Sequence, residues 1–186
     1  MDKPKIIIVE APQGGWKTTV TNKLRNELTC SNLMRLSGGK SQDSSIPVFT
    51  YYSNLLSFLG RSHNAGMNFI FDRLYFSEQV YCRMGMKNYK FDSESAILTH
   101  KLQCLQEVYD VYVILLTTTK EQYVHRLNRD KPVYENAVFS ADSSMKQQEQ
   151  YLDIINNLNI DHKLVIDTTY SNSNQVTKDI LKFVNN

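Results

Sequence analysis

The 186 residues contain only three cysteines, Cys30, Cys82 and Cys104. They are odd in number, far apart and without metal-ligand spacing. That excludes a disulfide framework and a zinc site, and points to reduced thiols, in core or helix, of a cytosolic protein. Neither sign of charge is in excess. Lys and Arg number 21 against 19 Asp and Glu, leaving a net charge of +2. This argues against nucleic acid held on a large basic surface, though not against a small anion held locally. Long apolar runs are missing, so no segment reads as membrane-spanning, and residues 1–5 lead into an apolar strand without a signal peptide. A cytoplasmic location is expected. Repeats and low-complexity segments are absent too, and the length suits one domain with a full core.

What is present is organised around residues 6–19. Ile6, Ile7, Ile8 and Val9 read as a buried strand of a parallel sheet. A turn with Gly14 and Gly15 follows. Lys17, Thr18 and Thr19 then open a segment with Val20, Leu24 and Leu28 at helical spacing. Strand, tight loop, Lys-Thr and helix make a phosphate-binding unit. The loop residues Gln13, Gly14, Gly15 and Trp16 and the start of the helix present N–H groups to a polyphosphate. Lys17 reaches its terminal phosphates, and the Thr18 hydroxyl ligates Mg²⁺. The two positions at which the pattern fixes glycine hold Ala11 and Trp16. A bulky residue at φ > 0 is strained by about 1–2 kcal/mol. The indole either points away from the phosphates and leaves the cradle intact, or blocks it.

Further strands are expected at 32–36, 68–71, 111–116 and 163–166. Helices are expected at 48–59, 76–84, 93–109, from Thr118 or Thr119 to Arg129, at 142–158, and at the end of the chain. Alternating strands and helices predict an α/β fold, a five-stranded parallel sheet with helices on both faces. Ligands of such sheets sit at the carboxyl ends of the strands.

Candidate site residues follow those strands. Asp72 and Arg73 end the third, where an acid can hold Mg²⁺ and a guanidinium can clamp a phosphate. Ser77 and Tyr81, four apart on the next helix, either line a base pocket or, for Tyr81, fill the core. Tyr51 and Tyr52 with Phe49 offer an aromatic platform for a base or, equally, helix core. Arg126 and Arg129 come late in their helix, just before a loop-like segment. They suit an Arg-bearing lid at about 126–141, or simply a helix C-terminus. The four histidines have no partner spacing.

Four stretches together resemble the thymidylate kinase and deoxynucleoside kinase branch of P-loop kinases. They are residues 6–19, Arg35-Leu36-Ser37-Gly38-Gly39, residues 72–81 beginning Asp-Arg and carrying Ser77 and Tyr81, and Arg126-Leu127-Asn128-Arg129. The resemblance implies Mg²⁺-dependent transfer of the ATP γ-phosphoryl group to a deoxynucleoside monophosphate. Lys17, Thr18 and Thr19 would serve ATP, Thr18 and Asp72 the metal, Arg35 and Arg73 the acceptor, Ser77 the base pocket, and Arg126 and Arg129 the lid. It also implies a homodimer, with helix 93–109 as a candidate interface. The family's acidic base after strand two is Leu36 here, which favours a nucleotide over a nucleoside as acceptor unless Asp43 substitutes. The alternatives are a catalytically degenerate nucleotide-binding or sensor protein on the same fold, and a deoxynucleoside kinase.

Overall fold

The structure, a computed structural model, describes residues 3–36, 43–129 and 140–185. Its centre is a parallel sheet of β1 (Lys5–Glu10), β2 (Ser31–Arg35), β3 (Asn68–Asp72), β4 (Asp110–Thr117) and β5 (His162–Asp167), in the order β2-β3-β1-β4-β5. The helices are α1 (Lys17–Glu27), α2 (Ile46–Ser62), α3 (Phe76–Arg83), α4 (Asp92–Leu105), α5 (Lys120–Arg129), α6 (Ala141–Asn156) and α7 (Ser173–Val184).

Alternation along the strands separates two cores, since successive side chains point to opposite faces. Ile6 and Ile8 of β1, Phe69 and Phe71 of β3 and Val111, Val113 and Leu115 of β4 face the larger core, which α2, α3, α4 and α6 cover. Ile7 and Val9, Ile70, and Tyr112, Ile114 and Leu116 face the smaller one, closed by α1 and α7. The run Ile6–Val9 is wholly apolar because both of its faces are covered.

One helix boundary is corrected. The helix expected over 93–109 stops at Leu105, where successive N–H groups of Gln106, Glu107 and Val108 reach back three residues instead of four. That tight turn lets the Asp110 N–H reach the Pro4 carbonyl at 3.0 Å and begin β4. The apolar face of α4, expected as a candidate dimer interface, is also used within the chain: Leu98, Leu102 and Leu105 are buried in the larger core with α2. Of the cysteines, all free, Cys82 and Cys104 lie in helices as expected, while Cys30 is exposed and outside any helix.

Candidate functional site

The sheet order changes direction at β1. The carboxyl ends of β1, β3 and β4 open onto one crevice, the position for a ligand in a sheet of this type. Residues 11–16 bridge β1 to the N-terminus of α1 there. The glycines of this loop stand where the chain has no room. A Cβ on Gly15 would lie 2.5 Å from the Ala11 Cβ and 2.9 Å from the Pro12 carbonyl oxygen, while Gly14 has φ 77° and would crowd Leu127 and Tyr123. Ala11 thus occupies space that the glycine at 15 vacates.

Trp16 adopts φ 65° and ψ 10°, the left-handed conformation in which a tryptophan costs about 1–2 kcal/mol. Its indole does not fill the cradle. It lies on the smaller core with the Arg126 guanidinium over its ring, 3.7 Å from the centroid. A desolvated stack of this kind contributes about 2 kcal/mol, enough to offset the backbone strain.

Lys17 opens α1 and is buried. Its Nζ donates to the carbonyls of Ala11 at 2.8 Å and Pro12 at 3.1 Å. Burial, and then the Arg73 charge, lower its affinity for a proton against the opposing pull of Asp72 and Glu10. The Thr18 Oγ1 donates to the Asp72 Oδ2 at 2.6 Å. Hydroxyl and carboxylate from separate elements therefore meet beside Lys17. They are oxygen donors in the number that Mg²⁺ takes from protein while keeping water and phosphate as its other ligands. Thr19 is exposed on the first turn.

On the β3 side, Arg35 lies with its Nε 4.0 Å from Asp72 Oδ2 and donates to Asn22. Arg73 has φ 76° and its N–H donates to the Val9 carbonyl at 3.2 Å, holding β3 and β1 together at their ends. Its Nη1 donates to the Tyr81 hydroxyl. Burial disfavours its charge, but Tyr81, Tyr151 and Glu10 outweigh that and hold it firmly protonated.

Beneath it lies a buried cluster whose α6 members the motifs did not reveal. Glu10 is fully buried and accepts from the Leu74 N–H at 2.7 Å and the Ser77 Oγ at 2.8 Å. Ser77 Oγ is also 2.7 Å from the Tyr151 hydroxyl of α6. Burial pushes the Glu10 carboxyl up, against the Leu74 N–H, Arg73, Ser77 and Lys17. Helix α6 reaches the phosphate loop as well: Ser144 Oγ donates to the Gln13 carbonyl at 3.0 Å, and the Gln13 N–H donates to Gln147 Oε1 at 3.3 Å. Ser144, Gln147 and Tyr151 are spaced 3 and 4 apart and all buried. Polar residues on the inward stripe of a helix are the signal that could have found them.

The structure thus brings together Gln13–Thr18, Arg35, Asp72, Arg73 and Tyr81. Others it places differently. Arg126, expected on a lid, is 1% exposed, its Nη1 and Nη2 donating to Thr168 Oγ1 at 3.0 Å and the Thr168 carbonyl at 2.9 Å. Ser77 is turned to Glu10 and Tyr151 rather than to a base. Tyr52 is buried in the larger core, edge-on to Tyr75 at 6.2 Å, while Tyr51 is half-exposed and edge-on to Tyr52 at 5.2 Å, so the pair forms no open platform. Asp43 accepts from Asn88 Nδ2 at 3.1 Å. Of the expected lid at about 126–141, the Arg129 side chain and residues 130–139 lie outside the described residues, as do Ser37, Gly38 and Gly39.

A five-stranded parallel sheet in this order, with a Lys-Thr turn opening the helix after its central strand, is the fold of the P-loop kinases. The chain is similar in structure to the YorR protein from Bacillus subtilis in complex with phosphorylated GDP, with 21% identity over 97% of this chain and 95% of that one and a TM-score of 0.73. It is also similar to thymidylate kinase from Candida albicans, with 15% identity, 98% and 92% covered and a TM-score of 0.64. Deoxyadenosine kinase from M. mycoides with bound dCTP gives 14% identity, 97% and 98% covered and a TM-score of 0.58. No family model matches the sequence, and a search of curated proteins finds no match. Among the described residues, no helix is long and apolar enough to cross a membrane.

Proposed function

We propose that the chain is a nucleotide kinase that transfers the γ-phosphoryl group of ATP to a deoxynucleoside monophosphate, in the manner of a thymidylate kinase. The observation that carries this reading is the meeting of Thr18 Oγ1 and Asp72 Oδ2 at 2.6 Å, with Lys17 next to Thr18 in the chain, Arg73 next to Asp72, and the Arg35 Nε 4.0 Å from Asp72 Oδ2. A pure nucleotide-binding protein has no need of a second cationic group across the metal position. A transferase does, because the acceptor phosphate must be held in line with the γ-phosphate. An acceptor phosphate oxygen forms the new bond to the γ-phosphorus as the bond to the β–γ bridging oxygen breaks, and ADP leaves. Lys17, recharged by the polyanion, and the loop N–H groups stabilise the charge spread over the phosphoryl oxygens. Thr18 and Asp72 would hold Mg²⁺, which would supply neutralisation of the phosphate charge.

A phosphate acceptor is favoured over a sugar hydroxyl because Leu36, buried and apolar, stands where a general base would. Glu10 is sealed beneath the cleft and bound to Leu74 and Ser77. The solved structures of similar fold include kinases of both nucleotides and nucleosides, with guanine and cytosine nucleotides bound. The acceptor base is therefore a question for assay. The test is a coupled assay of ADP release with ATP, Mg²⁺ and each of the deoxynucleoside monophosphates and deoxynucleosides. Turnover with at least one monophosphate, lost in Lys17→Ala while its circular dichroism is unchanged, is the expected result. Near-wild-type turnover in Lys17→Ala removes the kinase reading, and nucleotide binding without any turnover leaves a nucleotide-binding protein on a kinase fold.

A further inference from the structure

Trp16 is the only tryptophan of the chain, and it stands one residue before the phosphate-binding lysine. Its left-handed backbone sends the indole to one side of the loop. The ring meets Arg126 of α5, which follows β4, and Arg126 is tied to Thr168, just after β5. The indole thus lies on the β4–β5 side of the cleft. The groups suited to an acceptor, Asp72, Arg73 and Arg35, all lie on the β3–β2 side. In-line transfer puts donor and acceptor on opposite sides of the moving phosphoryl group, so the base of the donor belongs on the side of the indole.

We propose that Trp16 is the stacking surface for the base of the donor nucleotide, with Arg126 as its backing. This assignment rests on the kinase reading of the cleft. Arg126 is 1% exposed, so its guanidinium cannot itself receive a base, whereas Trp16 remains partly exposed. The guanidinium is held at one face of the ring by the Thr168 side chain and carbonyl, which fixes the indole plane before any ligand arrives. A preset aromatic plane binds a base through its π-face and reads none of its edges. The donor site should therefore accept ATP and GTP alike, and binding energy from the base should supplement the phosphate cradle.

A lone tryptophan makes the test direct. Its emission is followed during titration with ATP, GTP and inorganic tripolyphosphate, each with Mg²⁺, and the affinities are measured in parallel by calorimetry. The expected result is that ATP and GTP quench the emission as they bind, while tripolyphosphate binds more weakly with little change. In Trp16→Gly the backbone keeps its conformation without strain, and the advantage of ATP over tripolyphosphate should shrink by at least about fivefold. If ATP binds without a base-dependent change in emission, or if Trp16→Gly keeps the full advantage of ATP, the assignment is overturned and the indole is only a brace. If neither nucleoside triphosphate binds either form, the kinase reading falls together with it.

Discussion

At the scale of single residues, the site is a set of charges that the fold has removed from water and then re-paired. Arg73 is the clearest case. One residue on from Asp72, its backbone has a positive φ and its guanidinium donates to the Tyr81 hydroxyl. Lysine offers a point charge and cannot reproduce two-pronged contact with a phosphate. Arg73→Lys is expected to lower kcat/KM for the monophosphate by the equivalent of about 2–4 kcal/mol, and an unchanged value would reduce Arg73 to a structural role. Glu10 gives a prediction with a pH window. The folded chain keeps its proton up to about pH 7, against an ordinary value of 4.5, so between those values the folded state binds a proton that the unfolded state has released. Stability from this group therefore falls as pH rises from 4.5 to 7, by an amount on the order of 1–3 kcal/mol. Lys17 acts in the opposite sense and in a separate window, since its lowered value makes stability rise from about 7 to 10.5. Urea unfolding of Glu10→Gln across pH 4.5 to 7 should show a flatter profile than the native chain. An identical slope would mean that Glu10 does not titrate there.

At the scale of elements, the phosphate loop is a short segment whose shape depends on one missing side chain. Gly15→Ala would press a methyl group to 2.5 Å from the Ala11 Cβ and 2.9 Å from a backbone oxygen, which cannot rotate away. A destabilisation of about 1–3 kcal/mol is expected by thermal unfolding, together with loss of triphosphate binding, because the N–H groups that would converge on phosphate are displaced. Unaltered stability would show that the loop has slack. The same loop marks what the sequence made legible. Strand, Lys-Thr and helix were readable from local pattern, because a buried β1 must be apolar and α1 must be amphipathic. Asp72 and Arg73 were readable because a strand end announces itself. What local pattern could not show was the underside of the site. Ser144, Gln147 and Tyr151 of α6 meet Gln13 and Ser77, with 134 residues separating Gln13 from Gln147. Pairing across such a distance is set by the packing of α6 on the sheet, not by any neighbour in the chain. Arg126 differs from expectation for a related reason: nearness to a loop suggests a lid, whereas its phase places it with Tyr123, three residues earlier and also buried, on the inward face of α5.

At the scale of the whole molecule, the sheet divides the cleft into two halves served by different elements, and this has a thermodynamic consequence. In the proposed reaction the β1–α1 loop with α5 would form the donor side, and β2, β3 and α3 the acceptor side. If each ligand binds only the folded chain, each should raise its stability by mass action. At one hundred times its dissociation constant, either ligand alone adds about 2.7 kcal/mol, which for a chain of this size lifts the Tm by about 5–10 °C. Because the two halves share only the phosphoryl position, the shifts from ADP with Mg²⁺ and from the preferred deoxynucleoside monophosphate should nearly add when both are present. Lys17→Ala should abolish the shift from ADP and keep most of that from the monophosphate, since Lys17 contacts the Ala11 and Pro12 carbonyls of the loop and lies on the donor side. Thermal scans with each ligand, both together, and the matching deoxynucleoside test the arrangement. Equal loss of both shifts in Lys17→Ala would mean that the cleft is one undivided site. A shift from the deoxynucleoside with none from its monophosphate would transfer the acceptor role from a phosphate to a sugar hydroxyl, and the buried Leu36 would then require a base from elsewhere in the chain.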